Sequence, residues 1–164
     1  MIGRIIPILL AATLPTGADD LPSVRWGGSP TDVITAPHLC RGPLEVAEGT
    51  ELFMCTQSVL EREALVSLYF VDGGYACFSV TMPIHGATAE EARREFDAVV
   101  ARLQSALGPR GARGDTIGSG AAVTWDLDGE TVRAAVDATD DTRLIGIVAF
   151  ADEHRQRVAG LLSW

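Results

Sequence analysis

Residues Val66–Leu107 read VSLYFVDGGYACFSVTMPIHGATAEEARREFDAVVARLQSAL, and the fold turns on this stretch. Ala64, Val66, Leu68 and Phe70 alternate with Leu65, Ser67, Tyr69 and Val71. Ala76, Phe78, Val80 and Met82 alternate with Tyr75, Cys77, Ser79 and Thr81. A period of two with aromatic and β-branched side chains predicts two strands. Asp72-Gly73-Gly74 lies between them, and glycine supplies the positive φ of a tight hairpin. A three-residue loop sets Phe70 beside Ala76 and Leu68 beside Phe78, which makes one face wholly apolar. A two-residue loop mixes the faces, because a slip of one residue exchanges them. The expected connection is therefore three residues with a glycine bulge.

A helix follows. Thr88 and Glu91 have the spacing of a capping box, which satisfies orphan amide donors at a helix start. Ala92, Phe96, Val99, Val100, Leu103 and Leu107 fall on one stripe at helical spacing, while Glu90, Arg93, Arg94, Asp97, Arg102 and Gln104 cover the rest. Gly108-Pro109 ends it. Such a stripe is the core-facing side of a helix that covers a sheet.

Downstream, Gly108–Gly120 holds five glycines and reads as a flexible loop. Ala121–Leu127 and Glu130–Ala138 alternate around Asp128-Gly129, a strong hairpin signal. Trp125 should then face Val132, and Val123 should face Ala134. Thr124, Asp126, Thr131 and Arg133 form the opposite, wet face, as in an antiparallel sheet covered on one side. Asp140-Asp141-Thr142 turns into a last strand, Arg143–Phe150, apolar on both faces. Asp152 is expected to cap a terminal helix with Val158, Leu161 and Leu162 inward.

Upstream, Ser23–Trp26 suits an opening strand. Ser29-Pro30-Thr31-Asp32 is a helix start of about two turns, with Val33 and Ile34 inward and Pro37 ending it. Residues 38–43 read as a loop, Leu44–Ala47 and Leu52–Thr56 as short strands, and Leu60–Ala64 as the entry to the main hairpin. The fold class is α+β. One long helix packs across one face of an antiparallel sheet of two hairpins plus a further strand, with short helices at both ends. Trp26-Gly27-Gly28-Ser29-Pro30 with Val33, then Phe70-Val71-Asp72-Gly73, then Thr124-Trp125-Asp126-Leu127 resemble small exported bacterial α+β proteins of unassigned function. That resemblance implies an exported single domain and carries no catalytic residue across.

Residues 1–18 have the form of an export signal: Arg4 as the charged head, Ile5–Leu14 as the apolar run, and Thr16-Gly17-Ala18 as a small-residue cleavage site. The run is about half a bilayer span, so no stable membrane insertion is expected after cleavage. Residues 19–164 form one domain by size. They carry 12 Arg against 22 acidic residues, and the chain has no Lys. A balance this acidic repels nucleic acid and anionic lipid. The expected location is periplasmic or extracellular. In that oxidising setting Cys40 and Cys55 are the candidate pair, closing a loop of about 15 residues worth up to roughly 3 kcal/mol. Three free thiols are the alternative. Cys77 sits mid-hairpin as a small hydrophobe.

No catalytic, cofactor-binding or metal residue is assigned. His38 and Cys40, with His85 or His154, make one close pair where a zinc site needs about four ligands. Cys40 or Cys55 with His85 and an Asp is a formal nucleophile set, but no activating helix start follows either Cys. Gly118-Ser119-Gly120 precedes a strand, whereas phosphate loops follow one. Arg113-Gly114-Asp115 spells an adhesion-type tripeptide in a chain rich in all three residues. Asp126 and Asp128 are explained by the hairpin. Trp125 belongs to the apolar face, Trp26 to an edge, and Trp164 to the surface. The expected function is a non-enzymatic exported domain that binds a protein, such as an envelope protein, or a small ligand. The wet face of the second hairpin and the Gly-rich loop are the expected contact regions. A thiol-dependent hydrolase and a metal-binding envelope protein are the rivals.

Overall fold

The structure, a computed structural model, describes residues 26–84, 88–108, 113–117, 120–137 and 143–161. These form an eight-stranded antiparallel sheet: β1 (Cys40–Ala47), β2 (Thr50–Val59), β3 (Arg62–Val71), β4 (Gly74–Ile84), β5 (Arg113–Ile117), β6 (Gly120–Leu127), β7 (Glu130–Asp137) and β8 (Arg143–Ala151). Spatial order is β1-β2-β3-β4-β8-β7-β6-β5. Two four-strand meanders thus join edge to edge through β4 and β8. The helices are α1 (Pro30–Val33), α2 (Ala89–Leu107) and α3 (Arg155–Ala159), with 3-10 turns at Pro37–Leu39 and Asp152–His154. The α+β class holds, but the sheet is larger than two hairpins and one strand.

The missing strands have a local cause. β2 and β3 join through Leu60-Glu61, both at positive φ (51° and 64°), which is a mirror-image turn built without Gly or Asn. No turn residue marks it in the sequence. Likewise Arg113–Ile117 is expected to be loop, yet it pairs with β6 from Arg113↔Thr124 to Ile117↔Gly120. Backbone pairing to a neighbour needs no apolar alternation of its own. The tripeptide Arg113-Gly114-Asp115 therefore lies in an edge strand, not a loop.

The main hairpin resolves the loop question in a third way. Its turn has two residues, Asp72-Gly73, both at positive φ, with Val71 opposite Gly74 and Phe70 opposite Tyr75. A bulge after Tyr75 then restores Leu68 opposite Phe78. The extra residue brings Tyr75 onto the core face, where its ring lies 5.4 Å from Phe70. The second hairpin follows expectation, with Trp125 opposite Val132 and Val123 opposite Ala134.

α2 begins as expected. The Thr88 hydroxyl accepts the Glu91 N–H (3.2 Å), and the Glu91 carboxylate accepts the Thr88 N–H (2.6 Å). Ala92, Phe96, Val99 and Leu103 are buried, with Val100 and Leu107 packed beside them. They meet Val66, Phe78, Val80, Trp125, Ile145 and Ile147 in one core. Arg62 pairs with Glu95, and Arg102 donates to Glu61 (2.7 Å), which fastens the helix to the β2–β3 turn.

The other end of this core face is closed by residues 26–34. Gly27 N–H donates to the Tyr75 carbonyl (2.8 Å), and Tyr75 N–H donates to the Gly28 carbonyl (2.9 Å). Trp26 stacks on Tyr75 at 5.3 Å and donates its Nε1 to Glu130 (2.8 Å). It therefore lies over the centre of the sheet, bridging β4 and β7, and not at an edge. Ser29 starts α1 as expected, but the helix is one turn long. It ends at Val33, well before Pro37. Residues 23–25 and Trp164 lie outside the described residues.

Candidate functional site

The outer face, opposite α2, can be followed strand by strand. One row runs Leu44–Leu52–Tyr69–Cys77–Phe150–Thr131–Asp126, each residue opposite the next. It passes from apolar at the β1 edge to polar at β6. The face is not left wholly wet, because α3 folds back onto it. Val158 buries itself against Tyr69, Cys77, Val148 and Phe150.

Two clusters hold α3 there. At one end the Arg155 guanidinium donates to the Thr131 hydroxyl (2.7 Å) and to Asp152 (2.9 Å), and lies 5.7 Å above the Phe150 ring. The Thr131 hydroxyl donates to Asp152 (3.0 Å). These bonds hold the Asp152 carboxyl below its usual range, Arg155 being the main cause. Asp152 is the first residue of a 3-10 turn and makes no N-cap bond, so the expected cap is replaced by this cross-sheet anchor. At the other end Arg157 donates to Asp72 (2.7 Å) and to the Glu48 carbonyl (3.3 Å), while Asp72 N–H donates to the Gly49 carbonyl (2.7 Å). A Cβ on Gly49 would stand 2.5 Å from Asp72, so this junction needs glycine for its close approach and its φ of 65°.

Of the expected contact residues, Asp126 is exposed and 4.0 Å from Arg155, while Thr131 is buried beneath the Arg155–Asp152 pair. Thr124 Oγ1 and Arg133 Nε are buried without a partner among the described residues. Glu130, which the sequence does not single out, is buried at 5 % exposure under Trp26. Burial is the main cause that raises its carboxyl, and the Trp26 hydrogen bond offsets part of that. Its place on the Val132 face follows from alternation in the sequence, whereas its position opposite Ala151 is set by the β7–β8 pairing.

The thiol candidates resolve plainly. Cys40 and Cys55 face each other across β1 and β2 and form a disulfide. Cys77 is free and buried, and burial pushes its thiol upward. Beside the disulfide is a cleft of about 70 Å³ lined by Val33, Ile34, Leu39, Gln57 and Leu68 among others. Its polar lining residues are Thr35 and Gln57, with no carboxylate, imidazole or free thiol, and it is too small for most ligands. His38 is exposed in the 3-10 turn, and His85 lies outside the described residues. Among the described residues no group of three His, Cys, Asp or Glu could hold a metal, and no helix is long and apolar enough to cross a membrane.

Each stretch that carries the resemblance has a structural task here: Gly27 and Gly28 pair with β4, Asp72 ties turn to helix, and Trp125 fills the core. Compared with known proteins, the chain matches no family model, no curated protein and no solved structure.

Proposed function

We propose that the chain is an exported domain, periplasmic or secreted, that acts by binding a protein or small ligand and not by catalysis. An envelope protein is the expected class of partner. The supporting observation is the Cys40–Cys55 disulfide. Such bonds persist in oxidising compartments and are rare in the cytosol. The same bond occupies both thiols that a Cys–His enzyme would use, and a nucleophile must be a thiolate. It also removes the Cys40 sulfur from the His38–Cys40 metal reading.

The test is expression of the full chain in a bacterial host, followed by fractionation, N-terminal mass analysis and thiol counting. Export predicts a mature chain starting near Asp19. After unfolding without reductant, one alkylated cysteine is expected, and three after reduction. Cytoplasmic retention with three free thiols contradicts the proposal. So does turnover of an ester or amide panel that is lost on alkylating the native protein.

A further inference from the structure

We propose that the outer side of β5 is a self-association edge, at which two copies of the chain pair β5 with β5, antiparallel, about a two-fold axis through Gly114. The occupant is a second copy of this chain. The inference goes beyond the binding reading, since it requires neither export nor a ligand.

An open sheet has two edges, and here they differ. β1 is a poor template for another strand. Pro43 has no N–H to offer, and the pairing of β1 with β2 shifts register between Arg41 and Leu44 and again between Glu45 and Ala47. β5 carries neither device. It runs Arg113-Gly114-Asp115-Thr116-Ile117 without proline, and its ladder with β6 is unbroken from Arg113↔Thr124 to Ile117↔Gly120. β5 ends the strand order, so among the described residues no strand lies beyond it. Its outward backbone groups form a regular template for one more strand.

Gly114 marks the centre. Glycine weakens a strand interior, and it is found there at bulges or where another backbone comes close. The ladder with β6 has no bulge at Gly114. A second backbone at this position gives the glycine a role.

Charge selects the occupant and the register. With Gly114 on the axis, Arg113 of one copy stands opposite Asp115 of the other, and symmetry makes the match twice. Of the two-fold registers within Arg113–Ile117, this one alone sets opposite charges against each other. Alternate residues of an edge strand direct both backbone polar groups outward, and an axis on a residue keeps such residues opposite one another in either phase. The two-fold contact closes at two copies, because the other edge is blunted. A strand of five residues makes a small interface, so the association is weak and concentration-dependent.

The experiment is sedimentation of the full chain from about 1 μM to about 1 mM. It is run at about 0.15 M salt, where repulsion between two acidic bodies is largely screened beyond about 8 Å. A reversible monomer–dimer equilibrium is expected, with hydrogen-exchange protection gained in residues 113–117 at high concentration. R113D and D115R should each weaken dimerisation at least about tenfold, because each sets like charges across the axis twice. D115R makes the chain less acidic, so overall repulsion alone would predict tighter association. An equimolar mixture of R113D and D115R chains should restore dimers, since every pair across the axis is then opposite in charge. The double variant R113D/D115R should restore them as well. Mixing would not rescue a variant that had merely lost its fold. A chain that stays monomeric to about 1 mM overturns the inference. So do dimers indifferent to D115R, failure of the mixture to restore them, assembly beyond two copies, or protection gained at another surface. None of these results touches the export and ligand reading.

Discussion

Removing the Cys40–Cys55 bond is the sharpest test of how this fold is held. The perturbation is C40A/C55A, which avoids placing a hydroxyl at the buried Cys55. The bond closes a loop with a sequence separation of 15, and loop-closure entropy then gives about 3 kcal/mol. Little else on β1 makes up the loss. The strand has no buried side chain, and its pairing with β2 is interrupted between Arg41 and Leu44 and between Glu45 and Ala47. The melting midpoint should fall by up to about 6–12 °C, at 2–4 °C per kcal/mol for a domain of this size. Hydrogen exchange distinguishes local from global loss. Amides of β1, and those of β2 that bond to it, should lose protection by up to about two orders of magnitude. Amides of β3, β4 and β8 should change only as far as global stability does. If β1 amides in C40A/C55A stay as protected as in the parent, then packing and not the disulfide holds the strand, and the reasoning above is wrong.

Three further outcomes follow from the core. Tyr75 is fully buried and its hydroxyl lacks a partner among the described residues. An unpaired buried hydroxyl costs about 1–3 kcal/mol, so Tyr75→Phe should leave stability equal or higher in denaturant unfolding; a loss above about 1 kcal/mol would reveal a partner. Glu130 titrates above its ordinary range, so the folded chain binds its proton more tightly than the unfolded chain does. Its contribution is fully present below the ordinary carboxylate range and is lost as pH rises through the raised value. Glu130→Gln, which keeps an acceptor for Trp26, should therefore stabilise near neutral pH. The gain should vanish in acid, and a difference constant with pH contradicts this. Phe96, 2 % exposed at the centre of the α2 stripe, should cost about 3–5 kcal/mol when changed to Ala, measured by chemical denaturation.

The small gap beside the disulfide is bounded by aliphatic side chains, the disulfide itself, Thr35 and the amide of Gln57. On the outer face Thr131, Asp152 and Arg155 satisfy one another while they seat α3. Such a cluster stabilises a docked helix.

The amino-acid order alone determined the elements whose signals are local. Thr88 and Glu91 cap a helix whatever surrounds it, the stripe from Ala92 to Leu107 follows from 3.6-residue periodicity, and Asp128-Gly129 sets the register of its hairpin. Tertiary structure decided what no neighbouring residue encodes. Leu60-Glu61 turns at positive φ because the paired strands on either side hold it there. Arg113–Ile117 becomes a strand because β6 offers it a ladder. Tyr75 enters the core through a bulge, and α3 chooses the outer face through Arg155, Arg157 and Val158. β1 belongs to this second group. Its sequence reads as loop and short strand, and it becomes a fixed, exposed edge through a bond to Cys55 and a turn held by Asp72 and Arg157. Those contacts join residues far apart in the chain, and sequence periodicity reports only on residues a few positions apart.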